Sequence, residues 1–140
     1  GADWAAVRAG LMRLIQHERE LRDIASLVGP DALEDADRLT LDCAAMVREI
    51  LLRQNAFHPH DASSSVAKTY ALASCALEAH TSGAAALGTG VSFAKLDFGP
   101  VRRALAALRD APEEEREQRT ADARAAARAL APSTATRDTA

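Results

Sequence analysis

Between Trp4 and Val28 the larger apolar residues fall at Trp4, Val7, Leu11, Leu14, Leu21 and Val28, with Ile15 and Ile24 beside them. They recur at steps of three, four or seven, which is the repeat of one face of an α-helix. The spacing predicts a single long amphipathic helix, about 37 Å from end to end at ~1.5 Å per residue. Gly29-Pro30 ends it, since glycine accepts a left-handed cap and proline cannot extend the hydrogen-bond ladder. Asp31, Glu34, Asp35 and Asp37 follow, placed where the partial positive charge of the next helix start favours carboxylates. A second apolar face, Leu39, Cys43, Met46, Val47, Ile50 and Leu51, runs to the break at Gln54-Asn55-Ala56-Phe57-His58-Pro59-His60-Asp61. Two helices with so short a joint are predicted to lie antiparallel as a hairpin.

Ser63, Ser64 and Ser65 offer capping hydroxyls before a third helix carrying Val66, Tyr70, Ala73 and Leu77, expected to fray or end between Gly83 and Gly90. A short connection, Val91 to Phe98, leads to Gly99-Pro100 and a fourth helix with Val101, Leu105 and Leu108. The fold class predicted is all-α, a small helical bundle built on the long hairpin. Residues 1–110 form the bundle in this reading, and 111–140 a charged Ala/Arg-rich helix with a tail. Pro112 and Glu113-Glu114-Glu115 suit the start of that helix and arginines its end, but between Pro112 and Leu130 there is little bulk to bury. A solvated or packing-dependent helix is expected, and disorder beyond Ala131.

Composition sharpens this picture. The chain has 140 residues, 33 of them alanine, the residue with the highest intrinsic helix propensity. A net charge of −3 argues against nucleic acid as a partner, because phosphate binding needs clustered positive charge. Apolar runs fall far short of the ~18–20 residues of a spanning helix, so no direct membrane insertion is expected. Cys43 and Cys75 sit among alanines and leucines and read as small buried apolar side chains. His58-Pro59-His60-Asp61 has metal-ligand side chains, yet no further ligands converge in sequence, so neither a metal site nor a catalytic residue is expected. Gly88-Thr89-Gly90 lacks the lysine and the strand–helix context of a phosphate loop, and no GxxxxGK[ST] occurs. By its own chemistry the chain is an interaction module.

One ordered set of residues carries a resemblance. Glu20-Leu21-Arg22-Asp23-Ile24-Ala25-Ser26-Leu27-Val28-Gly29-Pro30-Asp31-Ala32-Leu33, then Asp37-Arg38-Leu39-Thr40-Leu41, then Gln54-Asn55-Ala56-Phe57-His58, resembles the C-terminal helical domain of the V/A-type ATP synthase catalytic A (alpha) subunit. The likeness is good from Trp4 to Asp61, looser to Leu108, and absent from the tail. It implies a family of rotary ATPases in which three catalytic subunits alternate with three noncatalytic B-type ones around a central stalk. ATP or ADP with magnesium belongs there to a preceding nucleotide-binding domain, so no cofactor is expected in this chain itself. The opening Gly1-Ala2-Asp3 fits the expectation that the chain is a piece of such a protein.

The resemblance assigns two sites. Asp31, Leu33, Glu34, Asp35 and Asp37 correspond to the stalk-facing helix-turn-helix, which in the related F-type catalytic subunit bears an acidic DELSEED-like sequence. Here they are expected to contact the central-stalk rotor subunit, delivering torque. Ala32 and Ala36 stand where further acids would add charge, so steric pushing should outweigh electrostatic contact. Gln54, Ala56 and Phe57 resemble the segment that walls the adenine ring of bound nucleotide, by stacking, close approach and hydrogen bonding. After Asp61 the family's aromatic and cysteine give way to Ala62-Ser63-Ser64. The implied location is cytoplasmic, peripheral to the membrane as part of the complex. The alternative is a stand-alone helical protein-interaction adaptor related by descent; an upstream GxxxxGK[ST] in the same reading frame would support the fragment, and a start codon near Ala2 the adaptor.

Overall fold

The computed structural model describes residues 2–52 and 66–130. Among these it is all-α, with five helices: α1 (Ala2–Val28), α2 (Asp35–Val47), α3 (Val66–Gly88), α4 (Gly99–Asp110) and α5 (Arg116–Arg128). Short 3-10 turns fill Pro30–Ala32, Phe93–Lys95 and Glu113–Glu115, and a π-helical turn, Arg48–Leu52, continues α2. The apolar spacing thus becomes helix where it predicted helix.

The middle helix organises the bundle. α3 packs against all four others, and its buried residues include Ala71, Leu72, Ala73, Cys75, Ala76 and Ala79, which cover a little over half of its circumference. A helix whose apolar face is this broad keeps, away from its ends, only a narrow exposed strip, here Thr81, Ala84 and Ala85, and becomes the centre. Around it Leu14 of α1, Leu39, Met46 and Val47 of α2, and Val101, Leu105 and Leu108 of α4 close a single core. Leu39 of α2 meets Gly83 near the end of α3, whereas Trp4 of α1 packs against Tyr70 near its start, the rings tilted by 49° with centroids 5.8 Å apart. α1 and α2 also pack on each other, tied by the ion pair of Glu18 with Arg48, an arrangement consistent with the expected hairpin.

Two glycines settle where α3 stops. Gly83 does not end it: a Cβ there would stand 2.8 Å from Leu39 Cδ1 and 3.3 Å from Leu130, so the missing side chain lets α2 and the end of α5 close on α3. The helix stops at Gly88 instead. Gly90, at φ 100°, provides the left-handed residue, while Gly90 N–H donates to the Leu87 carbonyl (3.1 Å) and Val91 N–H to that of Ala86 (3.2 Å). This is the six-residue glycine cap of a helix end, and it accounts for Gly88-Thr89-Gly90 without any phosphate.

Residues 116–128 form α5, packed on α3 and α4 through small side chains. Ala123 and Ala127 are fully buried and Leu130 nearly so, all within the same core. The arginines that accumulate at its end also do more than complement the helix dipole. Arg124 and Arg128 both reach Glu78 of α3, at 3.1 and 2.6 Å, so one carboxylate holds two turns of α5 against the centre. Residues 131–140 lie outside the described residues.

Candidate functional site

The turn between α1 and α2 is built by backbone first. Gly29, at φ 90°, leaves the helical region after its N–H bonds to the Ala25 carbonyl at 2.8 Å, and Pro30 then opens a 3-10 turn that closes with Leu33 N–H on the Pro30 carbonyl at 3.1 Å. Glu34 caps α2 with its main chain, its carbonyl accepting from Asp37 and Arg38 N–H at 3.0 Å each. Its carboxylate makes no capping hydrogen bond. The acid is therefore not consumed by the cap and stays exposed, as does that of Asp31.

The five residues expected to contact a rotor do not share one environment. The carboxylates of Asp31 and Glu34 face solvent without a hydrogen bond or ion pair among the described residues. Asp35 is exposed, but its Oδ2 accepts the Phe93 N–H at 3.0 Å and so ties the start of α2 to the α3–α4 connection. Asp37 is half-buried. Leu33 points inward: it is 7% exposed and borders a depression of about 250 Å³ with Pro30, Arg38, Leu41 and Phe93. In this structure it acts as the plug beneath the turn, and any outward contact falls to its neighbours.

Those neighbours include apolar residues that the helical stripe mislocates. The spacing puts Val28 and Ile24 on the buried side of α1, yet they are 62% and 48% exposed, and Leu27 is 85% exposed. The last turn of α1 therefore carries three large apolar side chains into solvent beside Asp31 and Glu34. Periodicity alone could not show this, because it identifies a face and not how far the partner helix extends along it. The available signal was positional: these residues directly precede Gly29-Pro30.

The second expected site, Gln54, Ala56 and Phe57, lies outside the described residues, as do His58, His60 and Asp61. What is described is the chain leading into it. The π-helical turn Arg48–Leu52 is held from two sides, by Glu18 of α1 on Arg48 and by Arg102 of α4 on Glu49 at 2.8 Å. Single π turns recur at functional sites.

Of the remaining candidates, Cys43 and Cys75 are buried and carry free thiols. Burial raises both, with Asp42 adding to the rise at Cys43, which reaches about 12, and Arg124 opposing it at Cys75. Neither is a ready thiolate at neutral pH. No group of three or more metal-ligand side chains converges among the described residues, and no described helix is long and apolar enough to cross a membrane.

Residues 1–87 match the family described as the C-terminal domain of V and A type ATP synthase. The chain belongs to this family. It is 42% identical over 113 residues to a V-type ATP synthase alpha chain of Acetivibrio thermocellus, covering 81% of this chain and 19% of that one. It is 41% identical over 124 residues to the A subunit of the A-type ATP synthase of Methanosphaera stadtmanae, covering 89% and 21%. A V-type ATP synthase alpha chain of Thermoanaerobacter pseudethanolicus is 41% identical over 105 residues, covering 75% and 18%. The chain thus spans about a fifth of the length of these ATP synthase relatives.

Proposed function

We propose that this helical domain serves the catalytic A subunit of a rotary ATP synthase or ATPase, carrying movement between a nucleotide-binding domain and the central-stalk rotor. The observation that carries the reading is the α1–α2 turn. In a chain about 40% identical to ATP synthase alpha chains, it presents the exposed acids Asp31 and Glu34 beside exposed Ile24, Leu27 and Val28. Packed helices are stiff along their axes, so a displacement at the body reaches the turn. The acids favour a basic rotor surface, setting encounter and register more than affinity, while the apolar side chains supply steric contact. The noncatalytic B-type subunits would be lateral neighbours, and the domain would lie on the cytoplasmic side as a peripheral part of the complex.

The test is made in the intact complex. Reversing Asp31, Glu34, Asp35 and Asp37 to lysine is expected to lower ion transport per ATP hydrolysed while nucleotide turnover persists. Unchanged coupling would remove the electrostatic part. Leu27→Ser with Val28→Ser tests the steric part by the same ratio.

Gln54, Ala56 and Phe57 are proposed to wall the adenine ring of ATP or ADP, whose magnesium-bound phosphates would sit in the nucleotide-binding domain. Phe57→Ala in the intact catalytic protein is expected to weaken nucleotide binding about tenfold, the loss of one stacked ring. Measured ATP affinity equal to that of the parent protein would exclude the stacking role.

A further inference from the structure

A second concave site, unrelated to the turn, lies where α1, α2 and α3 meet. It is a cavity of about 330 Å³ lined by Arg13, His17, Thr40, His80 and Thr81, with Gly10 and Leu77 in its wall. Helical spacing builds it. Gly10, Arg13 and His17 share one face of α1, and Leu77, His80 and Thr81 share one face of α3. The bare Cα of Gly10 sits against Leu77, where a Cβ would be 3.0 Å from Leu77 Cδ1, and at this close approach the exposed Arg13 and His17 of α1 and the half-buried His80 of α3 line the same cavity.

The charge pattern is one-sided. α1 contributes the Arg13 guanidinium and the His17 imidazole, α3 contributes the His80 imidazole, and α2 contributes only the neutral Thr40, whose Oγ1 lies 3.5 Å from His80 Nε2. No carboxylate lines the cavity among the described residues, in a chain whose acids outnumber its bases by 20 to 17. Arg13 and His17 make no ion pair or hydrogen bond among the described residues, in contrast to Arg124 and Arg128, which are spent on Glu78. Both threonines direct their hydroxyl protons elsewhere, Thr40 to the Ala36 carbonyl (3.2 Å) and Thr81 to that of Leu77 (3.1 Å). With its proton on the Ala36 carbonyl, Thr40 Oγ1 accepts from His80 Nε2, so the donors left to face a ligand are the guanidinium, the His17 ring and His80 Nδ1.

We propose that this cavity binds a small doubly charged oxyanion of the sulfate and phosphate class, held by Arg13, His17 and His80. Arginine matches the tetrahedral oxygens with paired N–H donors, and each imidazole adds a charge-assisted hydrogen bond once protonated. Without the anion, burial and the facing His17 lower the proton affinity of His80. A dianion between the rings reverses that repulsion and draws the protons on, so binding strengthens as pH falls.

Sulfate is the probe of choice, because its charge is constant across the titration of histidine. The ring resonances of His17 and His80 in the full chain are followed by NMR during sulfate titration at constant ionic strength, balanced with chloride. The expected result is saturable movement of both rings, a rise in the apparent pKa of His80, and affinity about tenfold higher at pH 5.5 than at pH 7.5. Arg13→Gln should weaken binding about tenfold with helix content unchanged by circular dichroism, while Arg8→Gln, an exposed arginine of α1 outside the cavity, should leave it intact. Inorganic phosphate and glycerol phosphate form the second arm: preference for the first identifies a free anion as the ligand, preference for the second a phosphate ester. Shifts that fail to saturate, or an identical sulfate response in Arg13→Gln and the parent chain, would overturn the proposal.

Discussion

Lys68 is one of two lysines in the chain and is 2% exposed. Its ammonium donates to the carbonyls of Arg109, at 3.2 Å, and Ala111, both at the end of α4. Those carbonyls have no partner within their own helix, and a buried cation is tolerated there because the helix end supplies the negative pole. Lys68→Met keeps the length of the stem but abandons both acceptors. It is expected to lower stability by about 1–3 kcal/mol, read as a lower urea midpoint with unchanged slope. Nothing near Lys68 in sequence reveals this, since its acceptors lie more than forty positions away. The cysteines are the opposite case. Their neighbours along the helix announced burial, and burial is what the structure shows.

At the level of elements, what was legible followed from bulk. Leu and Val at helical spacing marked α1, α2 and α4, and Gly-Pro pairs marked two of their boundaries. What escaped was packing by small residues. α5 carries little bulk, yet Ala123 and Ala127 are fully buried, because a methyl group lets the helix approach α3 and α4 closely. Apolar size is a poor guide to burial where the seam is made of alanine. Ala123→Leu should therefore destabilise by about 1–3 kcal/mol through overpacking, whereas Ala121→Leu, on the exposed side, should change little. Thermal unfolding of the two variants checks the contrast. The end of α1 fails in the other sense: Leu27 and Val28 have bulk but no covering helix. Of the expected rotor-contact residues, the sequence could place them on one turn but could not tell that Leu33 would turn inward while Asp31 and Glu34 stayed outside.

For the whole molecule, His80 and the two buried thiols set opposite edges of a stability profile, with Cys43 the larger of the alkaline pair. His80 has a lowered folded-state pKa, so its contribution is present above 6.5 and is lost as pH falls through the folded value. Cys43 has a raised one: its contribution is complete below 9.0 and is lost as pH climbs toward about 12, where the unfolded thiolate is favoured. In chloride buffer the unfolding midpoint should decline on both sides of this window. His80→Gln is expected to flatten the acid limb, and Cys43→Ala the alkaline limb at some cost in packing. Neither limb was readable from the sequence, because each depends on which helix covers the group.

The ammonium at the base of α3 also bears on motion. By fastening one terminus of the central rod to the far terminus of the next helix, it makes their opening a joint event. Amides of 70–76 and 105–110 should then exchange with deuterium as a single cooperative unit, slower than those of 22–28, where the strut ends in open water.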